Sequence, residues 1–343
     1  MRAFRVERAG TAALIDVPMP VPGPGEVLVR VEAVGICGSD LELLRGTRDE
    51  AFCRFPVVPG HEWAGVVVEG PAMAGALAPG ARVVVEGHHY CGQCAPCRAG
   101  RTQLCLTYDE YGFTRDGGYR EFVAARADLC HVMARVAGDV AACTEPTACA
   151  LHAVERSGIT TTDRVVVVGA GPIGLLVVAC AAALRPARLL VADVRAGTLA
   201  TARHLGATDV VSAPAADLAT AVLDVLDGPA DIVIEAAGHP EAQRAAMNVL
   251  ARGGRLTLLG IAGSDLTTPF NLDPLVFRDA QVQGVFAYPA AVFARAARLI
   301  DEGVIDPGPL LTHHLPLTHV ADALTLLETR PTTAIKVILD PRT

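Results

Sequence analysis

Over the first 150 residues, apolar and polar positions alternate in short runs at 26–34, 63–69, 82–86 and 119–125, with Pro and Gly between them. A period of two reads as half-buried strands, so a compact, mostly antiparallel, barrel-like domain is predicted over 1–150. Pro18, Pro20, Pro22 and Pro24 predict an extended turn before the first long strand. From about residue 151 the rhythm changes. Buried strands are predicted at 165–168, 188–192, 209–212, 231–235 and 255–259, with helices at 175–184, 197–205 and 241–251. That alternation predicts a doubly wound parallel sheet, an α/β domain over 151–287. A further strand at 282–286 precedes a helix at 291–302 and a turn-rich tail at 313–341. The segment 288–343 is expected to pack back on the first domain and complete it.

Residues 165–184 form an uncharged stretch long enough to resemble a membrane span. Gly169, Gly171, Pro172 and Gly174 interrupt it at turn-forming spacing, so strand, tight loop and buried helix is the better reading. Residues 1–10 mix Arg2, Arg5, Glu7 and Arg8 with apolar positions and carry no signal-peptide core, which makes the cytoplasm the expected location.

At 343 residues the chain is long enough for about two domains. Apolar residues are 51% and charged residues 19%, a composition that folds. The net charge is −8, and Lys336 is the single lysine among 29 basic residues. An acidic chain with no basic run excludes nucleic acid and anionic membranes as partners. Ten cysteines without an export signal read as reduced thiols and metal ligands.

Gly169-Ala-Gly171-Pro172-Ile173-Gly174 follows an apolar strand and opens an apolar helix. Its glycines permit a tight turn and close backbone approach, and the helix N-terminus offers N–H groups to a pyrophosphate. Asp193 follows 19 residues after Gly174, where an acid accepts hydrogen bonds from an adenosine ribose. An ordinary glycine turn with a solvated aspartate is the plainer alternative, and the combination disfavours it. A carboxylate there repels a 2′-phosphate, so NAD is favoured over NADP; Arg195 softens that preference.

Cys91, Cys94, Cys97 and Cys105 give the spacing C-x2-C-x2-C-x7-C. Two-residue gaps let thiolates converge on one ion, and a fourth closes the tetrahedron of a structural zinc site with no open position. Two disulfides or four unpaired thiols are the alternative, disfavoured without an oxidising compartment. Elsewhere Cys37-Gly-Ser39-Asp40, Gly60-His61-Glu62 and Glu145-Pro146 supply a thiolate, an imidazole and two carboxylates from separated loops. A catalytic zinc takes about three protein ligands and one exchangeable position. Taken singly, Cys37 reads as a small buried hydrophobe and His61 as a core histidine. Asp40 is placed to hold the far imidazole nitrogen, and Ser39 to pass a proton.

Together these motifs, in this order, resemble the zinc-dependent medium-chain dehydrogenase/reductase family over nearly the whole chain. The resemblance implies a Rossmann domain inserted in a β-rich GroES-like catalytic domain, with two zinc ions per chain. Glu145-Pro146 resembles the sorbitol and threonine dehydrogenase branch, where the catalytic metal is held by cysteine, histidine and glutamate. Carried over by position, Cys37 and His61 ligate zinc, with Glu62 or Glu145 as third ligand and the other close by. The stretches 56–63 and 112–117 resemble bacterial dehydrogenases that oxidise aminocyclitols in antibiotic biosynthesis, such as 2-deoxy-scyllo-inosamine dehydrogenase. Where many members carry a relay histidine after the Ser-Asp pair, this chain has Glu42, either a relay or a solvated glutamate.

The implied reaction is hydride transfer from a secondary alcohol of a polyol, sugar or (amino)cyclitol to NAD, giving a ketone. Zinc lowers the pKa of the substrate hydroxyl, Ser39 takes its proton, and Glu42 or the cofactor ribose passes it on. An L-threonine 3-dehydrogenase or simple secondary alcohol dehydrogenase is the nearest alternative. A non-catalytic NAD-binding regulatory protein is the alternative of another class, and full ligand sets at both metal sites argue against it. Relatives are commonly homodimers or homotetramers, and the strand at 282–286 is a plausible pairing edge.

Overall fold

A computed structural model describes residues 1–70, 77–214, 216–263, 266–329, 331 and 333–343. The chain divides into two units, Met1–Ala148 with Tyr288–Thr343, and Cys149–Ala287. The first unit holds strands β1 (Arg2–Arg8), β2 (Thr11–Asp16), β3 (Glu26–Gly35), β4 (Glu62–Glu69), β5 (Arg82–Val85), β6 (His88–His89), β7 (Asp109–Glu110), β8 (Phe122–Arg126) and β9 (Cys130–Val132). The second holds β10 (Arg164–Val168), β11 (Arg188–Asp193), β12 (Asp209–Ser212), β13 (Ala230–Glu235), β14 (Leu250–Leu258) and β15 (Gln281–Gly284). The chain then returns to the first unit with β16 (Leu311–Pro316) and β17 (Lys336–Asp340).

The first unit is built around β3, which pairs antiparallel with β4, β8 and β17. Val27, Val29, Val31 and Val34 of β3 are fully buried, and Trp63, Tyr111, Phe113, Tyr119 and Leu339 pack in the same core. β-branched residues suit this pleated, doubly covered position. Two registers matter for chemistry. Gly35 of β3 stands opposite Glu62 of β4 and opposite Ile338 of β17, so the loop after β3 is flanked by strands distant in sequence.

In the second unit the order β12-β11-β10-β13-β14-β15 is parallel throughout. Val165 to Val167 are completely buried at its centre, which explains a strand without polar alternation. The strand order reverses beside β10, and the glycine turn leaves the carboxyl end of that strand, where doubly wound sheets bind ligands.

The predicted boundaries shift where local hydrogen bonding competes. The strand expected from 119 starts at Phe122, because the backbone of Gly117 to Tyr119 is already bonded to Val58, Pro59 and Gly60. The helix expected over 241–251 ends at Asn248, since Leu250 joins β14 opposite Ala230 before a register shift. The stretch 197–205 splits into a 3₁₀ turn, Ala196–Thr198, and a helix, Leu199–His204. The β1–β2 hairpin was not predicted; its register sets Arg2 opposite Asp16, Phe4 opposite Leu14 and Val6 opposite Ala12.

Candidate metal and cofactor sites

Cys37 begins the helix Gly38–Arg45, His61 ends the loop before β4, and Glu62 opens β4. The thiolate sulfur, one imidazole nitrogen and one carboxylate oxygen lie within 4.8 Å of one another. Cys37 is half-buried; His61 and Glu62 are 5% and 1% exposed, so the donors are withheld from bulk water. Glu145, buried in the first turn of the helix Thr144–Ser157, stands outside that group of three. Burial raises its carboxyl to about 7, the charge of His61 opposing the rise and Glu62 and Glu110 adding to it.

Behind His61, Asp40 is fully buried. Its Oδ2 accepts from the Cys37 backbone N–H at 2.9 Å and from the Tyr119 hydroxyl at 2.9 Å. Its Oδ1 is 3.7 Å from Nδ1 of His61, and neither atom makes a hydrogen bond. Burial raises the Asp40 carboxyl, against the lowering effect of His61 and the two donors. Burial would lower His61, but Cys37, Asp40 and Glu145 hold it well above its ordinary value. The His61 ring also packs against Phe113, centroids 4.9 Å apart, over which Arg48 lies at 3.7 Å.

Two residues escaped the sequence reading. Lys336, 3% exposed at the start of β17, forms an ion pair with Glu62 and donates to the Ile36 carbonyl at 2.9 Å. The acidic neighbours Glu62, Cys37 and Cys143 overcome burial and raise its ammonium pKa. Its signal was its solitude among 28 arginines: a compact ammonium, with three donors, suits a buried carboxylate better than a planar fork with five. Tyr119 carried no signal at all. Ser39 and Glu42 are half-buried on the helix Gly38–Arg45, which places them on the same element as Asp40.

The Cys37 sulfur, the His61 imidazole and the buried carboxyls of Glu62 and Glu145, with the Lys336 ammonium paired to Glu62, form a donor set of the kind that holds a divalent cation. The orphaned Nδ1 of His61 faces the orphaned Oδ1 of Asp40, the arrangement in which a carboxylate orients a metal-ligating imidazole. These residues fit a divalent zinc ion.

Cys91, Cys94, Cys97 and Cys105 likewise bring their sulfurs within 4.8 Å of one another. Cys91 is exposed, and the Cys91–Cys97 and Cys94–Cys105 sulfur pairs are each 4.0 Å apart. Backbone N–H groups of Cys94, Cys91 and Thr107 point at sulfur, which stabilises thiolates. All ten cysteines are free. The donor set fits a closed zinc site.

In the second unit the helix Pro172–Ala183 starts at Gly171. A side chain at Gly174 would meet the Gly169 carbonyl at 1.9 Å, so the turn closes only with glycine there. A side chain at Gly171 would have only Arg195 within reach, at 4.0 Å, which leaves that backbone open to a ligand. Asp193 ends β11; its Oδ2 accepts from Ala170 at 2.6 Å and its Oδ1 from Arg195 at 2.7 Å. The open cradle, the helix N-terminus and this carboxylate fit a dinucleotide.

Residues 23–135 match the alcohol dehydrogenase GroES-like domain family, and residues 172–302 the zinc-binding dehydrogenase family. The chain belongs to the zinc-dependent medium-chain dehydrogenase/reductase family. It is 35% identical to the erythritol/L-threitol dehydrogenase of Mycolicibacterium smegmatis over 96% of this chain and 94% of that one. It is 32% identical to the L-threonine 3-dehydrogenase of Bacillus velezensis over 98% and 97%. Among solved structures, a zinc-binding dehydrogenase from Sinorhizobium meliloti bound to NADP superposes with a TM-score of 0.92 at 32% identity, covering 99% of each chain. An Escherichia coli CFT073 protein described as a short chain alcohol dehydrogenase, complexed with NADH, gives 0.89 at 28% identity, again over 99% of each. The family members are GroES-like plus Rossmann-like oxidoreductases, and this chain is an enzyme of the polyol and threonine dehydrogenase type. Among the described residues no helix is long and apolar enough to cross a membrane.

Proposed function

We propose that the chain oxidises a secondary alcohol of a polyol, sugar or (amino)cyclitol to a ketone, passing the hydride to NAD. The observation that carries this reading is the buried convergence of Cys37, His61 and Glu62 with Asp40 behind the imidazole. Cys37, His61 and Glu62 would hold the catalytic zinc, with Glu145 beside them, and the four-cysteine loop would hold a second, structural one. Bound at the first site, zinc supplies Lewis-acid polarisation of the substrate hydroxyl and lowers its pKa toward neutrality.

The chain's own residues do the rest. Ser39 receives the hydroxyl proton, and Glu42, three positions along the same helix, passes it to solvent. Lys336 fixes one oxygen of Glu62 and offsets its charge. Gly169, Gly171, Pro172, Ile173 and Gly174 form the pyrophosphate cradle. The Asp193 carboxylate keeps lone pairs for a ribose and opposes a 2′-phosphate, which supports NAD over NADP, with Arg195 moderating the preference.

The M. smegmatis relative's name supports a polyhydroxy substrate, and the stretches 56–63 and 112–117 support an aminocyclitol within that class. The B. velezensis relative favours L-threonine as the second reading. Val282, on the outer edge strand β15, and Val276 and Phe277, on the short helix before it, are exposed, which supports pairing with a second copy as a homodimer or homotetramer; the cytoplasm is its proposed location.

The test is an assay of purified protein on tetritols, hexitols, inosamines, L-threonine and simple secondary alcohols, with NAD and NADP, alongside a zinc count. Highest kcat/KM on a polyhydroxy substrate with NAD, and two zincs per chain, are expected. Turnover confined to L-threonine supports the second reading. One zinc per chain, with turnover unchanged after stripping, overturns the catalytic centre.

A further inference from the structure

We infer that Tyr119 is a positioning residue of the catalytic centre: its hydroxyl, donating to Oδ2 of Asp40, locks the carboxylate with Oδ1 toward His61 and so raises the affinity of the cluster for its metal. This rests on the zinc site proposed above and adds a group behind its ligands.

Asp40 has no exposed surface, so each of its lone pairs needs a donor from within the protein. The Cys37 N–H alone would leave the carboxylate free to turn about its Cβ–Cγ bond, and Tyr119 supplies the second anchor on the same oxygen. With both donors on Oδ2, Oδ1 is left for Nδ1 of His61, 3.7 Å away. A carboxylate oxygen fixed opposite the far nitrogen favours one orientation of the ring, and so one direction for the nitrogen that meets the metal.

Tyr119 is tied to the backbone that carries His61. Gly117, Gly118 and Tyr119 donate to the carbonyls of Val58, Gly60 and Pro59 at 2.7, 2.7 and 3.0 Å. The ring then crosses the turn itself: a side chain at Gly60 would stand 2.5 Å from Cδ1 of Tyr119. Gly60 also has φ of +97°, so two independent constraints demand glycine immediately before His61. One aromatic ring thus braces the main chain of His61 and the carboxylate that orients its side chain. A tyrosine buried merely for packing would need a partner for its hydroxyl, but nothing would direct it to the carboxylate that faces Nδ1 of His61.

The experiment is competition between the protein and a chromophoric zinc chelator, following both zinc sites at once, for the parent, Tyr119→Phe, Asp40→Asn and the double variant. The substitution Tyr119→Phe removes a single oxygen atom. It is expected to weaken zinc at the Cys37 site about tenfold, the low end for groups behind a ligand, and to leave the four-cysteine site unchanged. In the Asp40→Asn background the same change is expected to have no further effect, since Tyr119 acts through that carboxylate. Parent-like affinity in Tyr119→Phe, or equal loss at both sites, or full additivity with Asp40→Asn, overturns the inference. If Tyr119→Phe fails to fold, Asp40→Asn alone decides: unchanged zinc affinity in that variant overturns the inference, and at least a tenfold loss supports it. A parent that binds a single zinc overturns the proposed function and this inference together, whereas a two-zinc parent with an indifferent Tyr119→Phe overturns this inference alone.

Discussion

Cys91, Cys94, Cys97 and Cys105 come from one short loop whose first cysteine is exposed and whose third is buried, whereas Cys37, His61 and Glu62 come from two separate loops and a strand, with His61 and Glu62 shut away from water. At the surface, solvent and backbone N–H groups steady the thiolates, so the loop needs little from the rest of the chain. In the interior each charge requires a partner, and the partners are drawn from far away: Lys336 for Glu62, Tyr119 for Asp40. Local spacing is therefore enough to gather four sulfurs, while the buried cluster needs the whole fold to hold its donors.

The largest expected effect separates the two directly. Cys37→Ser or His61→Ala should reduce turnover by at least about a thousandfold, the loss of several kcal/mol of Lewis-acid stabilisation. NAD binding, measured by calorimetry, should stay close to the parent value, and the zinc count should fall from two to one. Next in size is Lys336→Met, which leaves Glu62 buried without its countercharge. Denaturant unfolding of the metal-free protein should show a loss of about 3–5 kcal/mol, and the loss should shrink when zinc is restored. No single substitution around the four-cysteine loop should show that metal-dependent compensation by a distant ammonium.

Cys97→Ser should act on stability alone. Calorimetry should show the melting temperature lowered by roughly 5–10 °C, while kcat per folded molecule remains near the parent value. The smallest effect lies outside both clusters, at Glu235 in the second unit. Its Oε1 accepts from Ala237 at 2.8 Å and Gly238 at 2.9 Å, and burial raises its carboxyl despite those bonds. The folded state therefore holds that proton more tightly than the unfolded chain, and stability falls as pH rises from the ordinary glutamate range through the raised value. Glu235→Gln removes this dependence. Urea unfolding should show a modest gain over the parent at pH 8 and little or none at pH 4.

Both clusters were legible as residue types in the sequence, but to different depths. The C-x2-C-x2-C-x7-C spacing constrains its own geometry, and the glycine turn between strand and helix does the same, because contacts within 14 positions decide the first and contacts within the six-residue turn the second. The alternation of strands and helices likewise gave the parallel sheet. Which carboxylate lies nearest Cys37 and His61 was not legible, since it turns on strand register: β3 against β4 sets Glu62 beside Cys37, and β17 against β3 brings Lys336 to it. Tyr119 lies 79 positions from Asp40. No periodicity records a hydroxyl that reaches across a core, so such braces emerge only once the chain has folded.

A chain whose sole lysine is 3% exposed also carries a built-in chemical reporter. Amine-directed reagents find no accessible lysine on the native fold, which leaves the part-buried amino group of Met1, donating to the Val17 carbonyl, as their other target. Labelling of Lys336 would therefore time the opening of β17 from its neighbours, one event read at one atom.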